Sequence, residues 1–518
     1  MLSRRDLALS AATAVLVASK PGQAATVKAG AATQVEGPVT GGQRGKIFGA
    51  FYGDLGEHGY VEEEYFVSGT AHTYGPASSR ALAEGEDLYA LEPLSTVCER
   101  DVPFKTRVVV VRPRDMHRFS GTVHAIPFHN LGAHVQLERN VTRRGDAWVG
   151  VEVCSGTRFG ADETPSGGVP NLHRTDPDRY GSLVVAGGKP EHWPGLTPGA
   201  LAHAFETLDF GRGGGAAMTV FRQELYRSYA SGPDIYFAVV EALRSGLGGL
   251  LRDSEVRRVY TTGASGASEI LRPLVEFHHD RRVSADGRPI LDGYFIRVGQ
   301  VPVNRPDGAV LVVLQSEAEA LTNVESGEPL PDDTDDPRFR YYEIAGTGHR
   351  ISADPSQARA HDLAEVLPEG IRGLSQRDEA DELEPYDKDN APILWAIWDA
   401  MYAWVDDGVP MPRAPRITRD RGAPDGIARN EHGNALGGLR TPWVDVPDAR
   451  YVARISPGNP LSAGLRRFTD AEMQALYGSP DEYERRVRAA VDAMVGERFL
   501  LPEDVGRFLG KSLYRSRP

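Results

Sequence analysis

The residues VRRVYTTGASGASEILRPL (256–274) pass from a β-branched run into a helical pattern through a turn of small residues. Val256 to Gly263 has the composition of a strand. ASEILRPLVEFHHD (267–280) has that of a helix, Pro273 notwithstanding. Between them stands Gly263-Ala264-Ser265-Gly266-Ala267, close to the pattern Gly-x-Ser-x-Gly. In that pattern the serine is held on a sharp strand-to-helix turn that lifts its hydroxyl to the top of a sheet. Bulk two residues away on either side would collide with adjacent strands, and Gly263 and Ala267 are both small. The turn also aims the Gly266 N–H at a reacting carbonyl from a helix N-terminus. The plainer reading makes Ser265 an N-cap. A chain with 57 glycines yields such strings by chance. Ser268, the rival hydroxyl, falls inside the helix.

The flanking sequence favours the first reading. Downstream, GYFIRVG (293–299), AVLVVLQ (309–315) and FRYYEIAG (339–346) read as strands. APILWAIWDAMYAWVDDG (391–408) reads as an amphipathic helix with an aromatic face, and DIYFAVVEALRSGLGGLL (234–251) carries apolar residues at helical spacing. Upstream, FKTRVVVVRP (104–113), GTVHAIPFHN (121–130) and AWVGVEVCSG (147–156) are three more strands. Near-continuous Val/Ile/Leu strands alternating with helices specify an α/β fold, a mostly parallel central sheet with helices on both faces. Residues 26–95 read as irregular with a few strands. Residues 157–232, including GRGGGAA (211–217), read as loops forming a cap or lid inserted in a core of residues 25–415. A turn-rich stretch and a helical pair within 469–510 make residues 416–518 a C-terminal extension packed on that core.

If Ser265 is a nucleophile on such a turn, an acid and then a histidine should follow it, each just past a later strand. Ser316-Glu317-Ala318-Glu319 follows AVLVVLQ, and Thr347-Gly348-His349 follows FRYYEIAG. Glu319 is preferred as the acid, with Glu317 the alternative, because the acid follows its strand by a short turn. Asp292 precedes a strand and is the poorer choice. Of the later histidines, His361 lies in a helical stretch and His432 in a turn-rich one, which leaves His349. All three groups then fall at strand C-terminal ends, where open α/β sheets place their sites. Ser265 would attack a carbonyl carbon, His349 would take and return its proton, and Glu319 would fix the imidazole. A second oxyanion donor is expected in FHNLGAH (128–134), from the backbone N–H of Leu131 or Asn130.

Composition narrows the partners. The 518 residues carry 58 Lys and Arg against 72 Asp and Glu, a net charge of −14, which disfavours nucleic acid as a partner. Two cysteines, Cys98 and Cys154, exclude a multi-cysteine zinc site and allow at most one disulfide. His278-His279-Asp280 is the nearest thing to a metal cluster. Adjacent helical residues point about 100° apart, so these read as a solvated helix end; no metal and no cofactor is expected. The partner expected is a small-molecule ester, and the oligomeric state is left open.

The first residues read MLSRRDLALSAATAVLVASKPGQAAT. Arg4 and Arg5 precede a short apolar stretch, Leu7 to Ser19, and Gly22-Gln23-Ala24 offers small residues for cleavage. Residues 1–24 therefore read as a signal peptide, and Ser3-Arg4-Arg5-Asp6-Leu7 is similar to a twin-arginine export signal. Export to the periplasm or beyond is expected. No later stretch reaches 18 uninterrupted apolar residues, so no membrane span is expected in the mature protein.

With these motifs in order, the sequence resembles the secreted α/β-hydrolase-domain proteins of bacteria. The likeness rests on PFKTRVVVVRPRD, FSGTVHAIPFHN, DPDRYGSL, DIYFAVVEAL, TTGASGASEILR, DGYFIRVG, LQSEAEA, DPRFRYYEIAGTGH, RTPWVDVPDARY and ALYGSPDEY, spread over residues 100–510. It implies an α/β-hydrolase fold, a serine hydrolase mechanism and ester cleavage. Ser265, Glu319 and His349 fall on the positions of its nucleophile, acid and histidine. Two departures stand out. The family commonly has Ser-Gln-Ser-Gly where this chain has Ser265-Gly266-Ala267-Ser268, and often Asp where it has Glu319. Other serine acyl-transfer chemistry on the same fold (amidase, peptidase or lactonase) stays open, as does a non-catalytic binding protein. An intact Ser, acid and His counts against the last.

Overall fold

The computed structural model describes residues 33–50, 54–78, 92–128, 139–158, 165–207, 215–284, 287–327, 330–351, 383–454 and 463–510. Residues 1–24, read from the sequence as a signal peptide, lie outside these. Nine strands form one sheet: β1 (Gln34–Glu36), β2 (Tyr60–Gly75), β3 (Thr96–Pro113), β4 (Thr122–Phe128), β5 (Ala147–Glu152), β6 (Arg258–Ala264), β7 (Gly293–Arg297), β8 (Val310–Ser316) and β9 (Phe339–Ile344). Their order is β1-β2-β3-β5-β4-β6-β7-β8-β9. From β5 to β9 every neighbouring pair is parallel, while β1, β2 and β3 add an antiparallel edge.

The order turns back on itself at β4. The chain moves from β4 to β5 on one side, then crosses to β6 on the other. Such a switch point opens a crevice at the carboxyl ends of the strands, and Ser265 follows β6 directly.

The parallel strands are apolar throughout because both faces are covered. Tyr294, Ile296, Leu311, Val313 and Tyr341 pack on one face with helix α1 (Gly232–Arg244), which contributes Ile235, Tyr236 and Val239. Phe295, Val312, Leu314 and Tyr342, their immediate neighbours in sequence, pack on the other. That second face lies under the aromatic helix Ala391–Asp407, whose Trp398 meets Phe295 edge-on at 5.3 Å. The Asp407 end closes on Gly408 in the left-handed conformation, a standard C-terminal stop.

Three regions carry more detail than their sequence patterns show. The described residues of 26–95 hold two strands among turns and irregular chain, and the second of them, β2, is long, at 16 residues. Its period-2 signal is hidden by Glu62, Glu63 and Glu64, of which Glu64 is buried against Arg107 and Arg179. The described residues of 157–232, read as loops, a lid or a cap, include helices Gly168–Thr175, Pro198–Thr207 and Gly215–Ser228. Of GRGGGAA, residues 211–214 lie outside the described residues. The helix expected over 267–280 is present, and its winding changes along the way: α2 (Gly266–Glu269) continues through Ile270 into a further α turn at Leu271–Pro273, a wider π turn at Leu274–His278 and a tighter 3-10 turn at His279–Arg281. Proline has no N–H for the helical ladder and crowds the preceding turn.

The C-terminal residues are woven into the second face of the sheet. Leu439 forms a parallel bridge with Ile344 at the end of β9. A three-stranded antiparallel sheet of Glu384–Pro385, Ala449–Val452 and Gly464–Arg467 adjoins it. Helix Pro480–Gly496 buries Tyr483, Val487, Val491 and Met494 in the same cluster as Val312 and Tyr342. Among the described residues no helix is long and apolar enough to cross a membrane.

Candidate active site

Ser265 is the first residue after β6 and has φ 54° and ψ −128°. A non-glycine residue rarely adopts such a conformation, and it costs on the order of 1–3 kcal/mol. The surroundings enforce it. The Ser265 N–H donates to the Arg297 carbonyl at 3.1 Å, and the Ser268 N–H donates to the Ser265 carbonyl at 2.8 Å. The Ser268 hydroxyl donates to that carbonyl too, at 2.5 Å, so Ser268 is buried and serves the turn. The turn leaves Ser265 itself exposed. Gly263 is required for a reason other than clearance from adjacent strands. A Cβ there would lie 2.4 Å from the Ala267 carbonyl oxygen, in the elbow's own helix. Gly266 opens α2, so its N–H has no intrahelical acceptor.

Two strands away, the chain leaves β8 into α3 (Glu317–Ser326). Glu319 Oε1 meets His349 Nδ1 at 2.5 Å. Glu319 Oε2 accepts the Ser316 N–H at 3.2 Å and the Ser316 hydroxyl at 2.5 Å. The Ser316 oxygen in turn accepts the Ala318 N–H at 3.0 Å. The acid is thus the third residue of a capping box and has both oxygens engaged. Burial works to raise its carboxyl, but the His349 ring and the Ser316 hydrogen bonds outweigh this and hold it below the ordinary range. Ser265, Glu319 and His349 share one rim of the sheet. Within the set the direct contact is Glu319–His349, and no hydrogen bond joins Ser265 to His349 in this arrangement.

A family model described as an alpha/beta hydrolase domain matches residues 35–509. The chain belongs to the alpha/beta hydrolase domain family. Among solved structures it is similar to esterase Est22, at 8% identity, with 61% of this chain and 81% of that one covered and a TM-score of 0.27. It is also similar to a protein from Klebsiella pneumoniae assigned as a dienelactone hydrolase, at 11% identity, with 52% and 91% covered and a TM-score of 0.24. No curated protein sequence matches.

Within this alpha/beta hydrolase the remaining candidates separate cleanly. Glu317, the alternative acid, points away from His349. It is fully buried, pairs with Arg429 Nη1 at 2.9 Å and accepts the Gly346 N–H at 2.7 Å. Asp292 sits at the opposite rim, paired with Arg244 and Arg258. His432 lies in a turn beside Glu431, and His361 is outside the described residues. The oxyanion candidates Leu131 and Asn130 also fall outside them.

His278 and His279 are not a solvated helix end. His278 Nε2 lies 2.8 Å from the Leu94 carbonyl, and His279 bridges the Tyr294 hydroxyl and the Asp307 carbonyl at 2.9 and 3.0 Å. Burial pushes both imidazoles down, His278 to about 3. The change of winding at this end of the helix leaves both rings in the core, each with its own partners. Both cysteine thiols are free; Cys154 is buried beside Ser228.

Sequence reasoning passed over Ser316 and Arg429. The first had a signal, the Ser-x-x-Glu spacing of a capping box in Ser316–Glu319. The second had none, because 112 residues (429 − 317) separate Arg429 from Glu317.

Proposed function

We propose that this alpha/beta hydrolase is an exported serine hydrolase that cleaves carboxylic esters through an acyl-enzyme on Ser265. The observation that carries the reading is the positive-φ backbone of an exposed serine between β6 and α2. A serine that only capped a helix would need no such conformation. The Glu319–His349 pair on the same rim supplies the base and its orienting partner.

In the proposed reaction the Ser265 oxygen bonds to the ester carbonyl carbon as His349 takes the hydroxyl proton. The carbonyl oxygen becomes an oxyanion facing the Gly266 N–H, with Leu131 or Asn130 as the second donor. His349 returns its proton to the departing alcohol and the C–O bond breaks. Water, deprotonated by the same imidazole, then releases the carboxylic acid and restores Ser265. Glu319 stays ionised throughout, because its carboxyl is held low. The mature enzyme is proposed to act in the periplasm or outside the cell, after removal of residues 1–24.

The test is hydrolysis of short-chain aryl esters and the matching anilides by wild type and Ser265→Ala. The expected result is ester turnover that falls at least about a thousandfold in the variant. Equal turnover in the two proteins contradicts the assignment of Ser265. Faster cleavage of anilides than of esters contradicts the assignment of substrate.

A further inference from the structure

The loop carrying His349 is gripped from two sides. On one side stands the first turn of α3. Glu317 Oε2 accepts the Gly346 N–H at 2.7 Å, and the Ala318 N–H donates to the Thr347 carbonyl at 3.3 Å. On the other side stands the C-terminal part of the chain. Gly346 has φ 73°, and a Cβ there would lie 2.7 Å from Val444 Cγ2; a Cβ on Gly348 would lie 2.4 Å from Ala463 Cβ.

The two sides meet in one ion pair. Arg429 comes from a hairpin in the C-terminal residues, where bridges join Ile417 to Gly437, Arg419 to Ile427 and Arg429 to Ala435. Its guanidinium is fixed by Asp425 at 2.7 Å and by the Gly433 carbonyl at 3.2 Å. From there Nη1 reaches Glu317, whose side chain is entirely buried. Glu317 and Glu319 lie two residues apart at the start of one helix and divide the work. Glu319 holds the imidazole, and Glu317 holds the backbone three residues before it.

We infer that Glu317 and Arg429 form a positioning pair for His349, through which the C-terminal residues set the imidazole against Ser265. The inference rests on the proposed function. Its chemistry is that of a buried charge. Burial raises the Glu317 carboxyl, and the Arg429 guanidinium and the Gly346 N–H pull the other way. Without Arg429 the carboxyl takes up a proton, accepts less strongly from Gly346, and frees the His349 loop. Misplacement of a catalytic base by about 1 Å can cost on the order of a hundredfold. The Glu317 side chain is entirely buried and pairs with Arg429 rather than facing Ser265, so the loss should fall on kcat.

The experiment uses the full mature chain and short aryl esters. Arg429→Met, Arg429→Lys, Glu317→Gln and the double variant Glu317→Gln/Arg429→Met are compared for kcat, KM and the rate of fluorophosphonate labelling. Arg429→Met is expected to lower kcat and the labelling rate about 10- to 100-fold with KM within about twofold. Arg429→Lys should restore part of the loss. The double variant should be no slower than Arg429→Met, because both changes act through one clamp. Wild-type kcat in folded Arg429→Met and Glu317→Gln would overturn the inference, as would losses that multiply in the double variant. If Arg429→Met fails to fold, Arg429→Lys and Glu317→Gln decide on the same criteria. Failure of the underlying reading looks different, since wild type and Ser265→Ala would then label alike.

Discussion

Two serine–carboxylate–histidine sets stand at opposite rims of the sheet. At the carboxyl rim are Ser316, Glu319 and His349, joined at 2.5 Å and 2.5 Å. At the amino rim are Ser120, Asp146 and His124, joined at 2.6 Å and 3.1 Å. As lists of residues they are nearly the same. Their surroundings differ. His124 is sealed by the Tyr402 hydroxyl at 2.9 Å and by the edge of Trp398 at 4.8 Å, with 3% of its side chain exposed. His349 keeps 15% of its side chain exposed, on the rim where Ser265 stands on its strained turn. An acid and an imidazole in contact are therefore a packing solution at one rim and a candidate base at the other. Access and the elbow make the difference.

That contrast can be broken by exchanging the consequences of two matched substitutions. His349→Phe should lower kcat/KM about ten-thousandfold, equivalent to about 5.5 kcal/mol of transition-state stabilisation, and move the urea midpoint less than His124→Phe does. His124→Phe should do the reverse. It leaves Asp146 buried with one partner fewer, at a cost of about 3 kcal/mol in urea unfolding, while the folded fraction keeps its kcat. If His124→Phe cost activity and His349→Phe cost stability, the comparison would be upside down.

A smaller effect sharpens it. The Glu319 carboxyl is held low, so it contributes stability above the ordinary carboxylate pKa, and this is lost as pH falls through its lower folded value. The stability gap between wild type and Glu319→Gln should therefore be constant from pH 8 down to about 5 and close below about pH 4. Calorimetry across that range reads it directly. A gap that instead widens as pH falls from 7 to 5 would mean that the carboxyl is raised.

The sequence exposed the parallel half of the fold well. β6 to β9 and the aromatic helix Ala391–Asp407 are buried on both sides, so their apolar runs are continuous and their ends marked by Gly, Asp or Pro. The edge was harder. β2 holds Glu64 in its buried face against Arg107 and Arg179, which erases the alternation a strand should show. At the site, Ser265 was named from its turn of small residues, Glu319 and His349 from chain order and strand ends, and the Glu319–His349 contact joins two of them. The choice between Glu317 and Glu319 could have been argued from the capping box, which turns the third helical residue back over Ser316. The part played by Glu317 was not accessible that way. It depends on Arg429, brought in by a hairpin whose place under β9 is set by tertiary packing.

The central claim is that one hydroxyl, on Ser265, becomes acylated. Peptide mapping by mass spectrometry after fluorophosphonate treatment tests it most directly. The account predicts a single phosphonyl adduct on the tryptic peptide of residues 259–281, localised to Ser265 and not to Ser268. An adduct on any other residue, or an active enzyme that takes none, would contradict it.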